Sequence, residues 1–504
     1  MLLVVILVLG TSELSGILVE QLTPSSFDHV PEPTISMTVD WDTDSDGDGV
    51  PDVNDSHPYK LALAQHIVGG APIEEWNTTP SRILNVSKLV GHSEYLTSMV
   101  WGDIDNDGDA DLLYPTGDGR NRIFFNDGNG NLQTHWIEPT NYAWTWGAEL
   151  VDINQDGWLD IVFSNWNSGG ECTGTNYACG YMLFNNNGSF NSTGDWNKTG
   201  SVYNMGMGTG DFDGDNDVDI FFAGGVGDEI FYNDNGQIET NHTWEETPNQ
   251  IYGALGWSYG HSTTFDAESA DFDRDGDIDI IQANGWLNDF SQLEAHNMIW
   301  SNNGNGTFGN FNSTGSEIAS WATWQANVTT DIELADLDGD GYTDIIAANQ
   351  WRWNQQMGYR WNASNHIYMN NNGSFDRNTS WSSTLSRPSS AVAVGDLDMD
   401  GDPDLVFANG WPEEVNEQGS WIKGRNRSDN VYTNNNGIIS SLPTWHNENQ
   451  TTSDVEFVDY DGDKDLDMVF ARHIYENSTG DEIPGHYNIL EFYENPWSNV
   501  DKDN

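Results

Sequence analysis

Basic residues are scarce: 17 Lys and Arg stand against 80 Asp and Glu in 504 residues, leaving a net charge of -63. No basic stripe exists to neutralise phosphates, which excludes nucleic acid as a partner, and an anionic membrane surface would repel the chain. With two cysteines, a disulfide-rich scaffold is excluded. Cys172 and Cys179, in ECTGTNYACG, read as one small disulfide loop in an oxidising compartment, with free thiols as the alternative. Long apolar runs are also lacking. The opening MLLVVILVLG is followed by Glu13 and Glu20, which interrupt it short of the roughly 20 residues a membrane span needs. It reads as a signal peptide over residues 1–22, with Gly10-Thr11-Ser12 as the small-residue cleavage site and an N-terminal anchor as the rival reading. Helical periodicity is absent, as are HExxH, a Ser-His-Asp order and a phosphate loop, so no catalytic residue is assigned.

Aromatics are plentiful at 12%, with 23 Trp, too many for a disordered acidic polymer. The acid itself is concentrated in a nine-residue frame, D-x-[DN]-x-D-x-x-x-D, that recurs seven times at intervals of about 50 to 65 residues. Positions 1, 3, 5 and 9 are Asp103, Asp105, Asp107 and Asp111 in the first copy, and Asp152, Asn154, Asp156 and Asp160 in the second. They are Asp211, Asp213, Asp215 and Asp219 in the third, and Asp271, Asp273, Asp275 and Asp279 in the fourth. The fifth has Asp336, Asp338, Asp340 and Asp344; the sixth has Asp396, Asp398, Asp400 and Asp404; the seventh has Asp459, Asp461, Asp463 and Asp467. Carboxylates this close repel one another unless a cation joins them. Four side-chain oxygens and a backbone carbonyl near position 7 suit Ca²⁺, which takes 6 to 8 oxygen ligands. Glycine at position 6 in five copies permits the sharp turn, with Asn216 and Lys464 in the other two. These are not EF-hands, because position 12 is never the closing Glu. About seven calcium ions are expected in the repeats.

Each loop runs into a β-rich stretch such as DIVF or DLVF, and then into a strand ending at an Asn-Gly turn, as in MLFNNNGSF and IYMNNNGSF. A Trp-containing strand follows. Four short strands per repeat and seven repeats predict an all-β fold, a seven-bladed β-propeller of four-stranded blades with calcium loops. The seventh repeat stops at ILEFYENPW without its fourth strand. Upstream, EWNTTPSRI at residues 75 to 83 matches TWEETPNQI at 243 to 251, so an N-terminal strand around Trp76 is expected to close the ring.

The DxDxDGxxD loops and phrases such as DIIAANQW resemble the FG-GAP/VCBS repeat family, whose best-known relatives are the integrin α-subunit propellers, over residues 75 to 495. The resemblance implies a calcium-bearing propeller on a secreted or surface protein, used in adhesion or carbohydrate binding. The FG and GAP residues themselves are largely missing, which places the chain nearer the VCBS type. Upstream, DWDTDSDGDGVPDVND resembles one thrombospondin type 3 repeat, with Asp44, Asp46, Asp48 and Asp52 in the same frame and one or more further calcium ions implied. The expected domains are therefore the signal peptide, a linker at 23–60 carrying that repeat, and a propeller at 61–504.

Chain direction places the ends of the second strands on the face opposite the aspartate loops. Trp166, Trp286, Trp351 and Trp411 stand there in SNW, ANGW, ANQW and ANGW, beside long insertions, and are candidate ligand-binding residues for sugar stacking. Glu149, Glu268, Glu333 and Glu456, each three residues before a loop, are expected near the central channel. Sequons at Asn77, Asn85, Asn191, Asn241, Asn312, Asn362 and Asn477 mark candidate glycosylation sites. The expected function is that of an extracellular or cell-surface, monomeric adhesion module for glycans or surface proteins. A propeller polysaccharide lyase or hydrolase and a structural surface-layer component are the alternatives.

Overall fold

In the computed structural model, the described residues are 76–86, 96–117, 120–139, 144–166, 179–191, 194–198, 204–224, 227–245, 262–287, 296–304, 306–311, 317–354, 359–410, 413–415, 421–423, 428–447, 451–476 and 482–496. All of them fall in one compact unit, Trp41–Asn504. The signal peptide, the linker with Asp44, Asp46, Asp48 and Asp52, Cys172 and Trp411 lie outside the described residues.

Every aspartate loop joins two antiparallel strands. The strand before it ends immediately upstream, as in Trp144–Val151 or Val328–Ala335, and the strand after it begins at position 9, as in Asp160–Trp166 or Asp344–Asn354. The strand after the loop is rich in β-branched and aromatic residues, as in DIVF and DIFF, because both faces of a blade are covered by its neighbours. Asp404–Asn409, for example, is buried at every residue. A third and an outer strand complete each sheet, so that seven four-stranded antiparallel meanders form the seven blades of a propeller, with one extra short strand in the fifth. Among the described residues only Val86 is helical, and no helix there is long and apolar enough to cross a membrane.

The core lies between blades. Seven clusters each join two successive blades, the seventh and first included. One packs Phe221, Ile230 and Trp244 of the third blade on Ile280, Met298 and Trp300 of the fourth. Another packs Tyr460, Val469 and Phe492 of the seventh on Leu112, Tyr114 and Phe124 of the first. No blade buries its faces alone, which is why the ring must close.

Closure is by an N-terminal strand, Arg82–Asn85, which pairs antiparallel with Glu482–Tyr493 in the register Arg82↔Phe492. Trp76 is not in that strand, contrary to the expectation from EWNTTPSRI. In the fifth and sixth blades the outer-strand tryptophans, Trp381 and Trp445, pair with Ile367 and Val431, the residues just before Tyr368 and Tyr432. In the seventh blade Arg82 takes that place against Phe492, just before Tyr493, and its guanidinium lies 5.2 Å from the Phe492 ring centre. Trp76 instead packs, buried, with Trp445, Phe470 and Tyr493 between the sixth and seventh blades.

Candidate metal centres and the opposite face

Local backbone geometry prepares each loop. Both carboxylate oxygens of the first aspartate accept backbone N–H groups, from positions 5 and 6: Asp103 takes those of Asp107 and Gly108, and Asp459 those of Asp463 and Lys464. The remaining five loops repeat this pair. Position 6 has positive φ throughout, Asn216 and Lys464 included. So does position 4, at Asn106, Gln155, Gly214, Arg274, Gly339, Met399 and Gly462, which sequence reasoning missed because glycine stands there in only three of the seven copies. Two left-handed residues in three positions wrap the chain so that the odd-numbered side chains converge. Carboxylate oxygens of Asp103, Asp105 and Asp107 lie within 4.8 Å of one another, as do those of Asp211, Asp213 and Asp215, and of Asp336, Asp338 and Asp340. Position 9 joins the group in Asp271, Asp273 and Asp279 and in Asp396, Asp398 and Asp404.

Position 9 is the buried member. Burial, and secondarily the carboxylates of its own loop, push Asp111 and Asp160 up to about 7 and Asp219, Asp279 and Asp344 to about 8, against the pull of backbone N–H groups. Asp404 and Asp467 are raised well above the usual carboxylate range by the same causes. Several buried carboxylate oxygens, including Asp105 Oδ1, Asp160 Oδ2, Asp398 Oδ1, Asp404 Oδ2 and Asp467 Oδ2, have no hydrogen-bond donor. An all-oxygen set with orphaned buried anionic atoms fits a hard cation, held by positions 1, 3, 5 and 9, which would neutralise the charge that burial penalises.

A second set of residues was not singled out from the sequence. The asparagine ending each third strand, in phrases such as MLFN and IFYN, donates its backbone N–H to the position 9 carboxylate of its own blade: Asn185 to Asp160 at 2.7 Å, Asn233 to Asp219 at 2.7 Å. Its side-chain amide donates to the position 2 carbonyl of the preceding loop, Asn185 to Ile104 at 2.7 Å and Asn233 to Ile153 at 2.8 Å. Asn302, Asn370, Asn434 and Asn495 do the same to Phe212, Phe272, Leu337 and Leu397. Asn126 of the first blade reaches Tyr460 of the seventh, which closes the cycle. The clue was present in the sequence as an asparagine repeated at one place, but its partner belongs to another blade.

On the opposite face the sequence expectations divide. Trp351 is buried at 7%, among Met205, Phe265 and Val328, so its assignment as a stacking residue is corrected: blade packing covers the ring. Trp166 is half-buried between Trp144 and Trp146, at ring distances of 5.3 and 6.0 Å. Trp286 pairs with Thr263 at the far end of its strand. Trp144 and Trp324 are 49% and 66% exposed. The asparagines of ANGW and ANQW are not free amides for a ligand. Asn284, Asn349 and Asn409 are buried, and their oxygens accept from Thr264, Thr329 and Ser389. Cys179 is buried and disulfide-bonded.

The innermost strands of all seven blades line a central cavity, with Glu149, Glu268, Glu333 and Glu456 in its wall. Asp266, Asp331 and Asp454, two residues before three of these, share it and were missed. They tie blades together: Asp266 accepts from Ile332 N–H, Asp331 from Val392 N–H and Asp454 from Met99 N–H, each in the next blade. Burial, with mutual repulsion added, holds Asp331 well above the usual carboxylate range.

A lectin from Agrocybe aegerita that specifically recognises non-reducing terminal N-acetylglucosamine is similar in structure, with 18% identity and a TM-score of 0.39 over 69% of this chain and 79% of the lectin. BBS1N in complex with ARL6DN, soaked with lead or with mercury, is 12% identical, with TM-scores of 0.44 and 0.43 over 82% of this chain and 96% of BBS1N. None of the curated proteins matches. The FG-GAP-like repeat is matched at residues 103–163, 211–282, 271–347 and 336–407, about half of the chain and covering six of the seven aspartate loops. On those matches, laid over blades whose aspartate loops recur in the same frame, the chain belongs to the FG-GAP-like repeat family.

Proposed function

We infer that this protein is an extracellular calcium-bearing recognition propeller, in which Ca²⁺ in the aspartate loops braces the ring and the opposite face takes a glycan or a surface protein. The observation that carries recognition is the Trp144, Trp146 and Trp166 cluster, because it presents a half-exposed indole at the end of a blade opposite its aspartate loop. Stacking on a sugar needs such an exposed flat ring, held by its neighbours rather than by the ligand. Ca²⁺ supplies positive charge among carboxylates that burial keeps from ionising. The acidic composition, the apolar leader and the exposed sequons at Asn77, Asn191 and Asn241 support export and glycosylation. A glycan array with wild type and with Trp144→Ala and Trp324→Ala tests the reading. The expected result is binding that either substitution weakens, with melting temperature unchanged. Trp351→Ala should instead cost about 3 to 5 kcal/mol of stability as a core truncation. An array with no calcium-dependent hit, and no bound surface protein in a matched protein array, would remove the recognition reading.

A further inference from the structure

We propose that each metal loop is positioned by the blade that follows it, so that cation affinity at one loop is set by side chains of the next blade and the seven sites form a directional, closed chain. The proposal rests on the calcium reading above.

Three contacts run in the same direction. The position 2 carbonyl of each loop is held by the next blade's asparagine, in all seven cases. In four loops position 3 is backed by the next blade's Asn-Gly turn, with Gly188 against Asp105, Gly236 against Asn154, Gly373 against Asp273 and Gly437 against Asp338. A Cβ built on Gly236, where φ is +79, would stand 3.0 Å from Asn154 Cβ, and one on Gly437 would stand 2.6 Å from Asp338 Cβ. Position 4, held at positive φ, reaches over the next loop in the first, second and fourth copies; it is glycine in the third, fifth and seventh. Gln155 Nε2 donates to Asn216 O at 2.6 Å and to Asp217 Oδ1 at 3.0 Å, Asn106 Nδ2 donates to Gly157 O, and the Arg274 guanidinium lies 4.4 Å from the Tyr342 ring centre. In the second loop positions 2 to 4 are thus all fixed from outside the loop, and position 3 is among the residues that would hold the cation. Loss of a group that orients a ligand from behind typically costs about 10- to 100-fold in metal affinity.

The asparagine also links its own loop to the preceding one. Its backbone N–H sits on the position 9 carboxylate, the buried ligand of its own blade, while its amide holds the preceding loop. A cation that draws in Asp219 therefore bears on Asn233, and Asn233 bears on Ile153 of the second loop.

The second loop carries its own reporter, since position 7 is Trp158. Terbium, a luminescent stand-in for calcium, would be titrated into the full-length protein with excitation at tryptophan, and the part of the signal lost in Trp158→Phe assigned to this loop. Asn233→Ala is expected to weaken that component by roughly 10- to 100-fold. Asn370→Ala, which removes the amide holding the fourth loop and touches no residue of the second, should leave it unchanged. Gly236→Ala adds a methyl group against Asn154 and should weaken it too, and it decides the matter if Asn233→Ala does not fold. A terbium signal that is present in wild type and unmoved by Asn233→Ala and Gly236→Ala, or moved equally by Asn370→Ala, overturns the coupling. If wild type shows no signal that Trp158→Phe removes, the second loop holds no metal and the calcium reading falls with it.

Discussion

Each position 9 aspartate accepts a backbone hydrogen bond while standing buried among the carboxylates of its own loop. Asp219, Asp279 and Asp344 are pushed to about 8, well above the value of about 4 for an unfolded aspartate. A raised folded value means that the native state binds more protons than the unfolded chain. Its stabilising contribution is fully present below about pH 4 and is lost as pH rises through about 8. Metal-free protein in EDTA should therefore melt at falling temperature between pH 5.5 and 8.5. Calcium competes with these protons, so the increment it adds to the melting temperature should grow over the same range. Thermal melts with and without calcium at three pH values check both trends, and an increment that shrinks with pH would contradict them.

Among the elements, the closing strand carries the ring. Arg82–Asn85 covers the edge of Glu482–Tyr493, and Trp76 fills the space between the last two blades. An uncovered edge of that length is a template for pairing with another chain. Deletion of residues 1–75 should leave a monomer of unchanged stability, whereas deletion of 1–86 removes the strand and should give aggregates on size-exclusion chromatography. Two truncations that elute alike as stable monomers would show that the edge needs no cover.

For the whole molecule the governing quantity is the net charge of -63. Self-repulsion destabilises a compact state, and salt screens it over about 8 to 10 Å at physiological ionic strength. Chelation should lower the melting temperature by many degrees, since the bound ions both stabilise by linkage and reduce the charge. Raising the ionic strength with an inert salt should recover part of that loss in the metal-free protein and do little to the calcium-loaded one. Equal salt sensitivity in the two forms would mean that the loops are not where the repulsion is concentrated.

The aspartate frame, the number of blades and the order of strands were legible in the amino-acid sequence, because each is local. A loop's ligands lie within nine residues, a hairpin within about twenty, and the repeat states the count. What the loops lean on was not legible. Asn233 meets Ile153 across 80 residues and Asn495 meets Leu397 across 98, so neither residue's neighbours in the chain reveal its role. The same holds for Trp351 and Trp166, which stand in similar phrases toward the far ends of equivalent strands. Packing buries one and leaves the other half open beside Trp144, and only the neighbouring blades decide which. The closing register likewise depends on Phe492, which meets Arg82 rather than Trp76, because strand pairing over such a span is chosen by the edge that remains open and not by a likeness between two short stretches of sequence.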